Sequence, residues 1–479
     1  MTTIKLDPGA ALLLDALHGA GHAAYAVGGC VRDSLLGLDP HDWDLCTSAR
    51  PEQVMALFGE EKCIPTGLQH GTVTVKQGGR LYETTTFRTE GAYSDGRHPD
   101  AVCFVPDVRE DLARRDFTIN AMAYNAEEGL IDPFGGQDDL AAHLVRAVGE
   151  PERRFEEDAL RILRLYRFAA RFGFAIDPAT GAAARALGPH LDCVSAERIQ
   201  EELLKLLAAP RPGSYLEPAV LAVILPELEP EKQPERFAEL CRTIDRIEPT
   251  AENVPARLAA LLWPLGEAGA RKALRKLKCS NALTDEVTTL VGGSVGSFLL
   301  GHEFELRHPA DALCLERHSH PAGRCPNSNS LFPPQAAVVA VAGHSIARPI
   351  AFGNRVPPQR TVLRETTVTP DFTIYARRLL GKYNLCTVQR LAALGTALQP
   401  ERAADFAALS ELAEQLDADG VCCRVSQLAV NGRDLMAAGV PAGPGIRKVL
   451  EALLDGVIRE EYPNERQALL AAVQQLAAS

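Results

Sequence analysis

The stretch from Ala26 to Ala49 constrains this chain most. It reads Ala26-Val27-Gly28-Gly29-Cys30-Val31-Arg32-Asp33, a short spacer, then Asp42-Trp43-Asp44-Leu45-Cys46. The apolar run from Ala23 to Val27 predicts a strand and Val31 to Leu36 a helix, so the two glycines fall at a strand-to-helix turn. Glycine there lets backbone N–H groups approach a phosphate, and a helix N-terminus favours negative charge. Asp42 and Asp44 are two apart on what reads as the next strand. Residues i and i+2 of a strand share a face, so both carboxylates can serve one pair of divalent ions. A triphosphate seat beside a metal-holding aspartate pair is what nucleotidyl transfer needs.

At 479 residues the chain exceeds one ordinary core, and about three or four domains are expected. A net charge of −12 excludes a protein held on nucleic acid by basic charge everywhere, and leaves room only for a local basic groove. The twelve cysteines follow no regular framework, and there is no signal peptide or long apolar span. A soluble, reduced, cytoplasmic protein without membrane contact is expected.

Pro8 to Gly21 reads as a first helix and Pro51 to Phe58 as a short second one. His70 to Lys76 and Leu81 to Arg88 read as strands of a hairpin that turns at Gly78-Gly79. Glu83 lies on the second of them, either as a third carboxylate for the metal site or as a solvent-facing residue. Arg88 to Pro99 is a polar, glycine-containing loop. The run Arg114-Arg115-Asp116-Phe117-Thr118-Ile119-Asn120 is expected to open a helix, its arginines suited to phosphate and Asp116 to ribose hydroxyls. Ile131 to Gly136 is a turn that ends the strand-rich part.

From Pro151 onward nearly everything reads helical. A helix from Glu156 to Phe172 carries Asp158, Arg161, Arg164 and Arg167 at spacing three. Asp158 and Arg161 lie about 60° apart around its axis and share a face, while Arg164 and Arg167 drift from it. A surface ion pair is one reading. A second is that an acceptor beside a donor matches the amino group and adjacent ring nitrogen of cytosine or adenine. Uracil and guanine would set carbonyl against carboxylate and N–H against guanidinium. A fixed Asp–Arg pair would then accept C and A and reject U and G without a template, each mismatch leaving a buried polar group unpaired at about 1–3 kcal/mol.

Ser195 is expected to cap a further helix, and leucine- and alanine-rich helices fill Pro218 to about Leu300. Lys272, Arg275, Lys276 and Lys278 form a basic cluster suited to an RNA backbone. From Arg317 to Arg364 there is no Asp, Glu or Lys, and the stretch reads as an irregular insertion or linker. Cys314, His318, His320 and Cys325 there have zinc-like residue types in an unfamiliar spacing. Order returns after Asp371, with a basic helical segment from Ala376 to Lys382 and a turn from Gly439 to Gly445 that opens a helix at Ile446.

Taken in order, these motifs resemble the class II (bacterial-type) tRNA nucleotidyltransferases and their poly(A) polymerase relatives, within the polymerase-beta-like nucleotidyltransferase superfamily. Beside the stretches quoted above, Asp132-Pro133-Phe134-Gly135-Gly136, Glu157-Asp158-Ala159-Leu160-Arg161, Glu197-Arg198-Ile199, Val430-Asn431-Gly432-Arg433-Asp434-Leu435 and Tyr462-Pro463-Asn464-Glu465-Arg466 carry the resemblance. It is dense from about Ala11 to Leu207 and returns near Ala376 to Leu469.

The resemblance implies an α+β chain: a small mixed-sheet nucleotidyltransferase head followed by an all-helical neck, body and tail. The expected boundaries are 1–140 for the head, 141–208 for the neck, 209–316 for the body, 317–370 for the insertion and 371–479 for the tail. It implies addition of CCA to tRNA from CTP and ATP, with Mg²⁺ as cofactor, release of pyrophosphate, and tRNA but not DNA as partner. By motif position Asp42 and Asp44 are catalytic and hold the metal, with Glu83 as a further candidate. Gly28, Gly29, Arg32 and Arg115 would meet the triphosphate and Asp116 the ribose. Asp158 and Arg161 would read the base, and Arg164 and Arg167 complete the site. The Arg88–Pro99 loop resembles one that CC-only enzymes lack, although Glu90 stands where the pattern usually has Asp. Thr66 to Val73 is closer to CCA enzymes than to poly(A) polymerases. No His-Asp hydrolase motif accompanies these, so no phosphatase activity is expected. A poly(A) polymerase, an A-adding or CC-adding relative, and an inactive RNA-binding relic are the alternatives.

Overall fold

The computed structural model describes residues 3–91, 102–293 and 370–476. Residues 24–131 build one mixed sheet whose strands lie in the order Cys63–Gly67, Thr72–Gln77, Arg80–Thr86, Leu45–Thr47, Ala24–Val27, Ala123–Asn125 and Gly129–Ile131. Its strands are β1 (Ala24–Val27), β2 (Leu45–Thr47), β3 (Cys63–Gly67), β4 (Thr72–Gln77), β5 (Arg80–Thr86), β8 (Ala123–Asn125) and β9 (Gly129–Ile131). Between them in sequence, β6 (Arg88–Glu90) and β7 (Val102–Phe104) pair as a separate ribbon. Within the large sheet β2 and β5 pair in parallel, and its other neighbours are antiparallel.

Both faces of this sheet are covered, which is why its central strands read as unbroken apolar runs. Along β1, Ala24 and Ala26 face a core shared with the helices, while Tyr25 and Val27 face a second cluster with Phe87, Val108 and Leu112. The first face is covered by α1 (Pro8–Gly19) and α3 (Pro51–Phe58), while α2 (Gly29–Leu35) leaves the end of β1. α4 (Val108–Ala113) lies on the other face. The expected hairpin turn is present, with φ of 57° at Gly78 and 79° at Gly79, the pair of positive values a type I′ turn requires.

Beyond α5 (Gly136–Ala141) the chain is helical: α6 (Pro151–Glu157), α7 (Leu160–Phe172), α8 (Pro178–Ala186) and α9 (Ala196–Leu207), then α10 (Pro218–Ile224), α11 (Pro234–Arg246), α12 (Val254–Leu262), α13 (Gly266–Lys276) and α14 (Asn281–Gly292). α7 packs along α9, and α9 against α12. Arg257 on α12 is fully buried and donates to the carbonyls of Leu207, Ala209, Pro210 and Ile247. It closes the C-terminal end of α9, where backbone acceptors lack helical partners and a cation is favoured. Ser195 occupies the N-cap position of α9, although its side chain makes no capping bond. No helix among the described residues is long and apolar enough to cross a membrane.

Two expectations need correction. The helix read from Glu156 to Phe172 is two helices, because Asp158 is extended (φ −147°, ψ 102°) and its side chain accepts the Leu160 N–H. The Arg114–Asn120 run does not open a long helix. Arg114 ends α4, and only Thr118–Asn120 make one 3₁₀ turn, held by the bridge between Phe117 and Ala147. The basic segment in the tail is paired within the tail itself. On the Pro370–Lys382 helix, Arg377 donates to Glu460 and the Ile458 carbonyl, and Arg378 to Asp455. The Gly439–Gly445 turn opens the Gly445–Ile458 helix as expected. Residues 92–99 of the polar loop, the Arg317–Arg364 stretch, and Cys314, His318, His320 and Cys325 lie outside the described residues.

Candidate active site

Asp42 and Asp44 sit on the extended segment that leads into β2, one step before the strand they were expected on. Their carboxylates are exposed and flank Trp43, which is buried, so the period of two places both on the open face. The parallel register pairs Leu45 with Thr84, which brings the preceding residues, Asp44 and Glu83, side by side on that same face. Asp44 stays open to solvent, yet the protein atoms around it and then the charge of Glu83 push its carboxyl up to about 6. Arg115 opposes this and Asp42 adds to it. Among the described residues no three His, Cys, Asp or Glu side chains converge into a ready-made metal cluster. Like charges crowded on an open edge suit a cation whose remaining ligands come from water and substrate phosphate, the usual manner of Mg²⁺.

Behind this edge, Gly28 carries φ 77°, and a Cβ built on it would lie 2.8 Å from Nη1 of Arg115. The arginine therefore lies directly over the glycine turn, which only glycine permits. Its Nε is buried without a partner among the described residues, and its one ion pair, with Asp111, is long at 3.5 Å. A Cβ on Gly29 would make only an ordinary 3.5 Å contact with Arg32. Arg32 is 3% exposed, donates to Asp33 at 2.7 Å and to the side-chain carbonyl of Asn120, and lies 4.8 Å from the ring centre of Phe172. It braces the turn from behind.

Asn120 in turn donates to Asp116, which also accepts the Phe117 N–H and two bonds from Arg164, at 2.9 and 2.6 Å. Burial raises the Asp116 carboxyl, but Arg164 and the bond from Asn120 outweigh it and hold the group far below the ordinary carboxylate range. With about four lone-pair sites on a carboxylate, Asp116 is saturated in this state. The turn that carries it is pinned by Gly136, where any Cβ would meet the Thr118 carbonyl at 2.3 Å.

The expected Asp158–Arg161 ion pair is not formed. Arg161 donates to Glu157 at 2.8 Å and to the carbonyls of Arg154 and Arg114, which ties the neck to the end of α4. Asp158 is held instead by Arg198, through contacts of 3.2 and 2.7 Å. The break at Asp158 explains this: off the helix, the residue no longer has Arg161 one turn above it. Arg167 donates to Glu202 at 2.5 Å, Arg164 lies 3.9 Å from the same carboxylate, and both guanidinium groups flank Phe168.

Sequence reading missed Arg198, Glu202 and Asn120 as contributors. The first two were detectable. Glu202 shares the buried stripe of α9 with Ile199, Leu203 and Leu206, and a carboxylate on an apolar stripe implies a cationic partner. Arg198 stands one turn before it, on the same face.

Three family models match parts of the chain. Residues 24–146 match the poly A polymerase head domain, 173–232 the probable RNA and SrmB-binding site of polymerase A, and 366–473 a putative tRNA nucleotidyltransferase domain 2. The CCA-adding enzyme of Geobacillus stearothermophilus is 32% identical over 463 residues, 96% of this chain and 94% of that one. The chain belongs to the CCA-adding enzyme family. The family's enzyme from Lactobacillus helveticus is 42% identical over 58% of this chain and 69% of its own length. That from Leuconostoc citreum is 44% identical over 53% and 60%. Among solved structures, the Bacillus stearothermophilus CCA-adding enzyme in complex with CTP superposes with a TM-score of 0.70 at 30% identity, covering 99% of this chain and 98% of that one. The Thermotoga maritima CCA-adding enzyme complexed with tRNA shares the fold, with a TM-score of 0.59 at 20% identity over 98% and 96% of the two chains.

Proposed function

We propose that this chain adds CCA, without a template, to the 3′ end of tRNA from CTP and ATP, releasing pyrophosphate. The observation that carries this is the open edge where Asp42 and Asp44 flank buried Trp43 beside Glu83, with Arg115 laid over the Gly28 turn. Asp42 and Asp44 would hold Mg²⁺, with Glu83 alongside. Bound there, the metal would supply charge stabilisation for the phosphates and an acidified 3′-hydroxyl.

The chain's own side chains do the rest. Gly28 and Gly29 let the backbone approach the triphosphate, and Arg115 offers its unpartnered donors to a phosphate oxygen. Arg32 keeps the turn rigid from behind. Asp116 meets the ribose by exchanging one of its Arg164 bonds for a hydroxyl, and Arg167 keeps Arg164 in place through their shared partner Glu202. Asp158 and Arg161 read the base. Of five N–H groups Arg161 commits three, so two remain for a ring nitrogen. The RNA 3′-hydroxyl then attacks the α-phosphorus, the bond to the β-phosphate breaks, and pyrophosphate leaves.

The exposed Lys272, Arg275 and Lys276 at the end of α13, with neighbouring Lys278, offer charge to the tRNA backbone. With tRNA and nucleoside triphosphates as substrates, the chain works in the cytoplasm. Incubating it with tRNA that ends at the discriminator base, CTP, ATP and Mg²⁺, and then sequencing the product, tests the reading. CCA is expected. A run of A would favour a poly(A) polymerase, and no extension an inactive RNA-binding relic.

A further inference from the structure

The transfer chemistry does not call on Arg198, yet it grips the one carboxylate assigned to the base. We propose that Arg198 is a specificity-determining positioning residue, whose two-pronged hold on Asp158 fixes the single lone pair presented to the incoming base. This rests on the base-reading role given above to Asp158 and supplies what sets its direction.

Asp158 sits at the break between α6 and α7, so no helical backbone restricts its side chain. Three donors do so instead. Oδ1 accepts the Leu160 N–H at 3.1 Å and Nη1 of Arg198 at 3.2 Å, and Oδ2 accepts Nη2 of Arg198 at 2.7 Å. Of about four lone-pair sites on a carboxylate, one remains, on Oδ2. One directed acceptor takes one N–H, which the exocyclic amine of cytosine or adenine supplies. The carbonyl of uracil or guanine brings none.

The clamp is rigidly mounted. Arg198 and Glu202 lie one turn apart on α9, where Glu202 is buried against Arg167, and fully buried Arg257 closes the far end of that helix. A fork on a fixed helix holds its partner to a narrow range of directions. Without it, Asp158 turns on its own torsions, admits a bridging water, and a uracil carbonyl can then be served through that water.

The test measures kcat/KM for single additions of CTP and UTP to tRNA ending at the discriminator base, and of ATP and GTP to tRNA ending in CC. Wild type, Arg198→Met, Arg198→Lys and Asp158→Ala are compared, each first shown to be folded by its thermal melt. The CTP/UTP and ATP/GTP ratios are expected to fall at least about tenfold in Arg198→Met, the loss of roughly one directed hydrogen bond, with Arg198→Lys recovering only part because it lacks the fork. If Arg198→Met slows all four nucleotides by the same factor and leaves both ratios intact, Arg198 is structural and the proposal is overturned. Asp158→Ala separates the two readings. Ratios preserved in that variant remove the base-reading role itself, whereas ratios lost there but kept in Arg198→Met remove only the role of Arg198.

Discussion

Just ahead of β2 the carboxylates of Asp42 and Asp44 face solvent, and among the described residues neither forms an ion pair. Along α6 and α7, each of the four charges proposed for the base and ribose is already partnered: Asp158 with Arg198, Arg161 with Glu157, Arg164 with Asp116, and Arg167 with Glu202. The difference teaches that the proposed site uses charge in two ways. Asp42, Asp44 and Glu83 stand together as like charges, open to the cation proposed for them. The charges around α6 and α7 are satisfied in advance, so in the proposed reading a base would enter by exchange and partners of the wrong hydrogen-bonding kind would gain nothing.

The contrast predicts that head and neck substitutions fail differently. Asp44→Ala should abolish most nucleotide addition, by roughly a thousandfold, since metal-held charge supplies several kcal/mol to such a transition state. Its thermal midpoint should not fall, because removing one of several crowded like charges relieves repulsion. A lowered midpoint with retained addition would break the comparison at its head end. Glu202→Ala should do the reverse and act first on stability. It leaves Arg167, 9% exposed, facing a void, at about 3–5 kcal/mol, measurable by denaturant titration.

Asp116→Asn sharpens the neck side through pH. The native carboxyl is held below its ordinary value of 3.8, so its stabilising contribution is complete above that value and is lost as pH falls further below it. The stability gap between wild type and Asp116→Asn should therefore be full at pH 7 and narrow in acid below 3.8, as denaturation at several pH values would show. The smallest effect is expected at Gly28→Ala. A Cβ there displaces Arg115 and strains a positive φ by about 1–2 kcal/mol, so KM for nucleotide should rise about tenfold. An unchanged KM would mean that Arg115 does not touch the triphosphate.

The head was readable because its signals are local. A double glycine, two aspartates around a tryptophan, and a second glycine pair for the hairpin each act over two to four residues, where backbone geometry alone decides the outcome. The neck was half readable. The residues at 158, 161, 164 and 167 stood out by spacing, but helical periodicity assumed an unbroken helix and so paired Asp158 with Arg161. The break depends on a side-chain bond from Asp158 back to the Leu160 N–H, which competes with helix continuation. The true partners lie 40 and 35 residues away on α9, beyond any local pattern. In the tail, the basic run on the Pro370–Lys382 helix stood out by composition, and only tertiary packing revealed Glu460 and Asp455 as the partners of Arg377 and Arg378.

The parallel seam between β2 and β5 has a consequence for the carboxylates beside it. Asp44 has Glu83 as a neighbour across a parallel pair whose connection runs through α3, β3 and β4, a crossover that no tight turn can replace. The proposed ion seat therefore joins one residue from each end of that crossover, and a change anywhere along it that slips the β2–β5 register would part Asp44 from Glu83.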